Sequence, residues 1–123
     1  MMNRVLILIF LFFAIIISDT IAQETILFPS DIEDAGSFGR VVLTQGDYIL
    51  VGGYGPGEEK VYVFRKTADS WVEEAILKLF EAPSTSCFGC SLAAYGDYIL
   101  IGAPGSIGIN GVVTAGAAYV FKK

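Results

Sequence analysis

Short apolar runs broken by turn residues set the pattern of this chain. Val41-Val42-Leu43-Thr44 is followed by Gly46-Asp47 and then Tyr48-Ile49-Leu50-Val51. Leu92-Ala93-Ala94-Tyr95 is followed by Gly96-Asp97 and then Tyr98-Ile99-Leu100-Ile101. Two residues between two such runs predict a tight hairpin, because glycine supplies the positive φ of the turn. Val61-Tyr62-Val63-Phe64 and Ala118-Tyr119-Val120-Phe121 mix β-branched and aromatic residues, which suit a pleated, buried surface. The pattern predicts strands around Thr25–Phe28, Phe38–Thr44, Tyr48–Gly52 and Lys60–Arg65. A second set is predicted around Trp71–Phe80, Phe88–Tyr95, Tyr98–Gly102 and Ala117–Lys122. Trp71 to Phe80 also fits a short amphipathic helix, with Trp71, Ala75 and Leu79 spaced by four.

The two sets are copies. Phe38 and Phe88, Gly46 and Gly96, and the pentapeptides Gly46–Leu50 and Gly96–Leu100 are all offset by 50 residues. Tyr62 and Tyr119 are offset by 57, so the second copy carries seven extra residues before its last strand. A fixed internal period of this size marks a repeat architecture, in which a unit buries its apolar face only by stacking on a neighbour.

The second copy holds Phe88-Gly89, then Gly102-Ala103-Pro104, then Gly116-Ala117-Ala118-Tyr119-Val120-Phe121. The first holds Phe38-Gly39, with Gly52-Gly53-Tyr54 in place of Gly-Ala-Pro. These residues resemble the FG-GAP repeats of integrin alpha-chain β-propellers and related secreted proteins, over about residues 26–122. The resemblance implies an all-β fold of two four-stranded antiparallel blade-like units. The first repeat is expected over 23–70 and the second over 71–123. Closed propellers have roughly 4–8 blades, so two blades make an incomplete propeller. Three outcomes are open: a truncated product, assembly of several chains, or two sheets packed face to face with one face left exposed.

The N-terminus changes the picture of composition. A basic start at Met1–Arg4, an apolar run from Val5 to Ser18 and the small residue Ala22 read as a secretory signal peptide, residues 1–22. The alternative is an uncleaved anchor, although the run is short of the roughly 20 residues a spanning helix needs. Cleavage leaves 101 of the 123 residues, one small secreted domain, and removes one Arg and one Asp, so the net charge stays at −5. No membrane span is expected after cleavage. The acidic balance and the lack of a basic stripe argue against nucleic acid.

Candidate chemistry is sparse. With no histidine in the chain, Ser-His-Asp and Cys-His catalysis is excluded, and no enzyme activity is expected. Asp31, Glu33 and Asp34 cluster before Phe38 and read as a solvated loop. The family's calcium loops would fall at Tyr54–Glu59 and Gly105–Asn110, and neither has the alternating carboxylates that an ion with roughly 6–8 oxygen ligands needs. No metal or other cofactor is therefore expected. Cys87 and Cys90 flank Phe88-Gly89. In an extended strand their Cα atoms would sit near 10 Å apart, too far for a bond, unless Gly89 bends the chain. A local disulfide and two idle thiols both remain open, and redox catalysis is the lesser alternative, because such motifs sit at a helix N-terminus and this one opens a strand. Tyr54, Pro56, Ile107 and Ile109 mark the possible contact loops, the second of which reads equally well as a hairpin extension.

The expected function is a secreted binding or adhesion module for an extracellular protein or glycan. The alternatives are a structural fragment of a larger propeller and the accessory propeller of a secreted hydrolase. Self-association is expected, since two blades leave an apolar face and an open sheet edge. N-terminal sequencing of secreted material should begin at Gln23. Intact Met1 in a membrane pellet would instead establish an anchor.

Overall fold

The computed structural model describes residues 24–31, 36–55, 58–79, 86–106 and 115–123. Seven strands are present among them: β1 (Val41–Gln45), β2 (Tyr48–Gly55), β3 (Glu58–Lys66), β4 (Trp71–Lys78), β5 (Ser91–Tyr95), β6 (Tyr98–Ala103) and β7 (Ala117–Lys122). They form two antiparallel meanders, a sheet in the order β1-β2-β3-β4 and a sheet in the order β5-β6-β7. Among the described residues there is no helix. Among the described residues the fold is all-β, two antiparallel sheets of four and three strands.

Both predicted hairpins form. Gly46 and Gly96 adopt φ of +55° and +54°, and each turn joins strands in the same register, Gln45 opposite Tyr48 and Tyr95 opposite Tyr98. The third strand is tied back to each hairpin in the same way. The Lys66 N–H donates to the Asp47 carbonyl at 2.7 Å, and the Lys123 N–H to the Asp97 carbonyl at 2.8 Å.

Three expectations are corrected. Residues 24–29 are not a strand. Pro29 has no N–H for a ladder, and the Ser30 N–H and hydroxyl donate to the Glu73 carboxylate at 2.8 and 2.6 Å, so a side chain takes the place of a pairing strand. The strands expected to start at Phe38 and Phe88 start three residues later, at Val41 and Ser91. The Phe-Gly pairs are turns. Finally, Trp71–Lys78 is a strand, but it pairs with β3, so it completes the first sheet and leaves the second with three described strands. Its short link, residues 67–70, returns it beside β3 before the chain can cross to a new sheet.

The sheets pack face to face, the third of the outcomes left open by the sequence. Leu50, Val61 and Val63 of the first sheet meet Phe88, Ile99, Ile101 and Ala103 of the second in one buried core. The other face of the first sheet buries Val51, Tyr62 and Phe64 beneath Phe38 and Leu27. The arrangement is head to tail, because the Phe-Gly side of the second unit covers the opposite side of the first.

Closest approach occurs at two glycines. A Cβ on Gly52 would sit 2.8 Å from the Gly89 carbonyl oxygen, and one on Gly89 would sit 2.9 Å from Val61 Cγ2. A Cβ on Gly102, the counterpart of Gly52, would meet only the Ser91 side chain, which can rotate away. Gly52→Ala should therefore destabilise the protein by about 1–3 kcal/mol, the usual cost of overpacking. Gly102→Ala should cost clearly less. Urea unfolding of the two variants decides, and equal effects would place the tight contact elsewhere.

Candidate functional site

Each Phe-Gly pair occupies the centre of a β-turn. The Arg40 N–H donates to the Ser37 carbonyl at 3.2 Å, and the Cys90 N–H to the Cys87 carbonyl at 3.0 Å. Gly39 and Gly89, at the third turn position, have φ of +93° and +86°. A positive φ there is the pattern of a type II turn, which glycine meets without steric penalty. The residue before each Phe, Ser37 or Cys87, also has positive φ, at 52° and 54°. This tight approach swings the ring back over its own sheet. Phe38 meets Tyr62 and Phe64 edge-on at 5.2 and 6.1 Å, and Phe88 meets Tyr119 and Phe121 edge-on at 5.6 and 6.2 Å. Edge-to-face aromatic pairs at such distances are favourable beyond the area they bury.

The turn also explains the cysteines. Its first and fourth residues are brought together, so Cys87 and Cys90 have Cα atoms 5.4 Å apart and are joined by a disulfide. That separation suits the bond, whereas an extended strand would not. Ser37 and Arg40 stand at the matching positions of the first unit, so only the second turn is stapled.

The junction between units is closed by Glu59, near the start of β3. Its carboxylate accepts the Cys87 N–H at 2.7 Å, the Phe88 N–H at 2.6 Å, and the Ser86 hydroxyl. Three donors of the second unit's turn thus converge on one side chain of the first. Hydrogen bonds to a charged acceptor contribute about 1.5–3 kcal/mol each, more than neutral ones. The sequence reading placed Glu59 only at the end of a loop unsuited to calcium and missed this role. A signal was present: Glu59 is matched by Gly116 in the second copy, and Ser86 by Gly36 in the first. Both are positions where the copies differ, and both hold partners of the junction.

The other candidate residues separate. Asp31 forms an ion pair with Lys60 at 2.6 Å, while Glu33 and Asp34 lie outside the described residues. Tyr54 is partly exposed on β2, and its N–H donates to the Gly36 carbonyl at 2.9 Å. Pro56, Ile107 and Ile109 lie outside the described residues. Among the described residues no three potential metal ligands cluster, and no helix is long and apolar enough to cross a membrane.

Lys60 is buried in β3 and touches both Asp31 and Glu58. Burial pushes the Asp31 carboxyl up, but hydrogen bonds from Lys60 and Tyr62 and the Lys60 charge outweigh it, and the net shift is below the ordinary aspartate value. The Asp31 carboxylate in turn holds the Lys60 ammonium above the ordinary lysine value, against the opposing effect of burial.

These features define a class: a β-repeat protein in which turns of one unit dock on the strands of another. Residues 71–121 match the profile of the FG-GAP repeat. No curated protein and no solved structure matches the chain. The profile match begins at Trp71, so the repeat contributes β4 to the first sheet and β5 to β7 to the second. The first copy lies outside that match and is tied to the second by its matching turns, registers and ring contacts.

The ion pair predicts a pH dependence. Because the Asp31 pKa is lowered on folding, its contribution is present above the ordinary value of 3.8 and is lost as pH falls below it. Because the Lys60 pKa is raised, its contribution is present below 10.5 and is lost as pH climbs above it. The stability gap between wild type and Lys60→Met should be flat between those limits and shrink beyond each. A gap that stays constant down to pH 2 would show that the pair does not form.

Proposed function

We propose that this protein is a secreted binding module that contacts an extracellular protein or glycan through the connections that follow β2 and β6 in the sequence, and that it is not an enzyme. The FG-GAP repeat at 71–121 marks a propeller-type module, and such repeats typically occur in extracellular proteins. The observation that carries the finer reading is how the residues shared by the two copies are used. Both Phe-Gly turns are consumed in packing, and Glu59 in holding the second of them. What differs between copies is the connection before the last strand, short in the first and seven residues longer in the second. Loops that vary on a rigid scaffold are where recognition residues concentrate.

A second reading is favoured by one comparison of equivalent positions. Leu50 and Val63 are 1% and 5% exposed beneath the second sheet, whereas Leu100 and Val120 are 40% and 62% exposed on the far side of that sheet. The far side matches the side of the first sheet that a neighbour covers. Self-association, or a place within a larger propeller, would cover it. The accessory propeller of a secreted hydrolase remains compatible with the scaffold and gains nothing from it.

The test is binding of labelled mature chain to cells, with a variant in which residues 105–115 are shortened by seven. Binding should fall at least tenfold in the variant while its melting temperature stays close to that of wild type. Prior protease treatment of the cells abolishes binding if the ligand is a protein, and glycosidase treatment does so if it is a glycan. Equal binding by the variant would remove the loop from the interface.

A further inference from the structure

Among the described residues the two sheets are unequal, with four strands and three, and a cleft lies beside the smaller one. β3 and β7 are matching strands, Val61-Tyr62-Val63-Phe64-Arg65-Lys66 against Ala118-Tyr119-Val120-Phe121-Lys122-Lys123. Both pair on one side with the strand that precedes them, β2 or β6, in matching register. On its other side β3 pairs with β4 over seven register positions. Among the described residues nothing pairs with the other side of β7. Beside that edge lies a cavity of about 310 Å³. Val63, Ala75 and Leu77 wall it from the first sheet, Ile99 and Phe121 from the second, and the charged residues Glu74, Lys122 and Lys123 also line it.

We propose that the outer edge of β7 and this cleft receive an extended segment of a partner protein, added as a fourth strand of the second sheet. The proposal rests on the protein-binding reading above and adds the β7 edge to the surface that reading gives to the loops. An unpaired edge offers backbone N–H and carbonyl groups to any extended chain, and pockets for alternate side chains give the choice of sequence. The chemistry of the segment follows from the equivalent edge in the same molecule. β4 places Ala75 and Leu77 toward the core, and an added strand would lay its own apolar side chains over these two residues. On β4, Glu74 reaches Arg65 at 3.1 Å. Arg65 corresponds to Lys122, which has no ion-pair partner among the described residues. The segment is therefore extended, apolar at alternate positions, and acidic where it passes Lys122.

The chain's own β4 has this composition, so a synthetic peptide of residues 67–79 is the probe. Titrated into the full mature chain, the labelled peptide should bind saturably at one site and shift the amide resonances of β7. N-methylation of one alternating set of its amides should weaken binding at least tenfold, because those amides face the edge, while the other set should be tolerated. Glu74→Lys in the peptide should weaken binding, and Lys122→Glu in the protein should restore it. Equal binding by both N-methylated peptides would mean adhesion of side chains alone and would overturn strand addition. So would a dimer of the protein that resists the peptide and protects the β7 amides, since a second copy would then hold the edge. If the peptide fails while cell binding persists, the edge site falls and the module reading stands.

Discussion

Everything in this protein depends on one close contact, the seating of the second Phe-Gly turn against the first sheet. Gly52 and Gly89 carry no Cβ where backbone meets backbone, and Glu59 collects the turn's donors from below. Neither half of this arrangement suffices alone. The glycine approach permits the sheets to close but supplies no direction. The carboxylate fixes direction but would be costly to bury without its donors, because a charge removed from water needs hydrogen bonds in return. Together they set where Phe88 lies, and Phe88 sets which faces of the two sheets form the common core.

The same contact explains why sequence repeat and sheet are out of phase. The segment that matches the FG-GAP profile starts at Trp71 and gives its first strand to one sheet and the rest to the next. Each repeat thereby straddles a junction, and covalent continuity reinforces the noncovalent one. Neighbouring units in such arrays draw much of their stability from the interface between them. The chain is consistent with that rule, since Leu50 and Leu100 occupy equivalent positions and only the one at the junction is fully covered.

Much of this was legible in the residues. The hairpins at Gly46 and Gly96 followed from turn chemistry, which is local. The strands β2, β3, β6 and β7 followed from apolar runs that tolerate burial on both faces. What could not be read was whatever depended on partners distant in the chain. Residues 24–29 resemble a strand in composition, yet Glu73, more than forty positions away, decides against it. Trp71–Lys78 fitted helix and strand alike until the β3 edge selected the strand. Phe38 and Phe88 looked like strand starts because their hydrophobicity speaks for burial and says nothing about a turn. The cysteine spacing was ambiguous for the same reason, since three residues span a long or a short distance according to the φ of Gly89. Glu59 went unseen because its partners are at Ser86 to Phe88, in the other unit.

Native-state hydrogen exchange at the amides of Cys87 and Phe88 tests the central claim most directly. Both belong to a turn outside any strand, so a turn merely resting on the surface would leave them exposed to solvent. If Glu59 holds the junction, both amides should exchange only through global unfolding, as slowly as those of Leu50 and Val61. In Glu59→Gln, which keeps the shape and removes the charge, they should exchange faster while the hairpin amides of β1 and β2 are unaffected. Fast exchange of Cys87 and Phe88 in the wild-type protein, beside slow exchange in both sheets, would contradict the account.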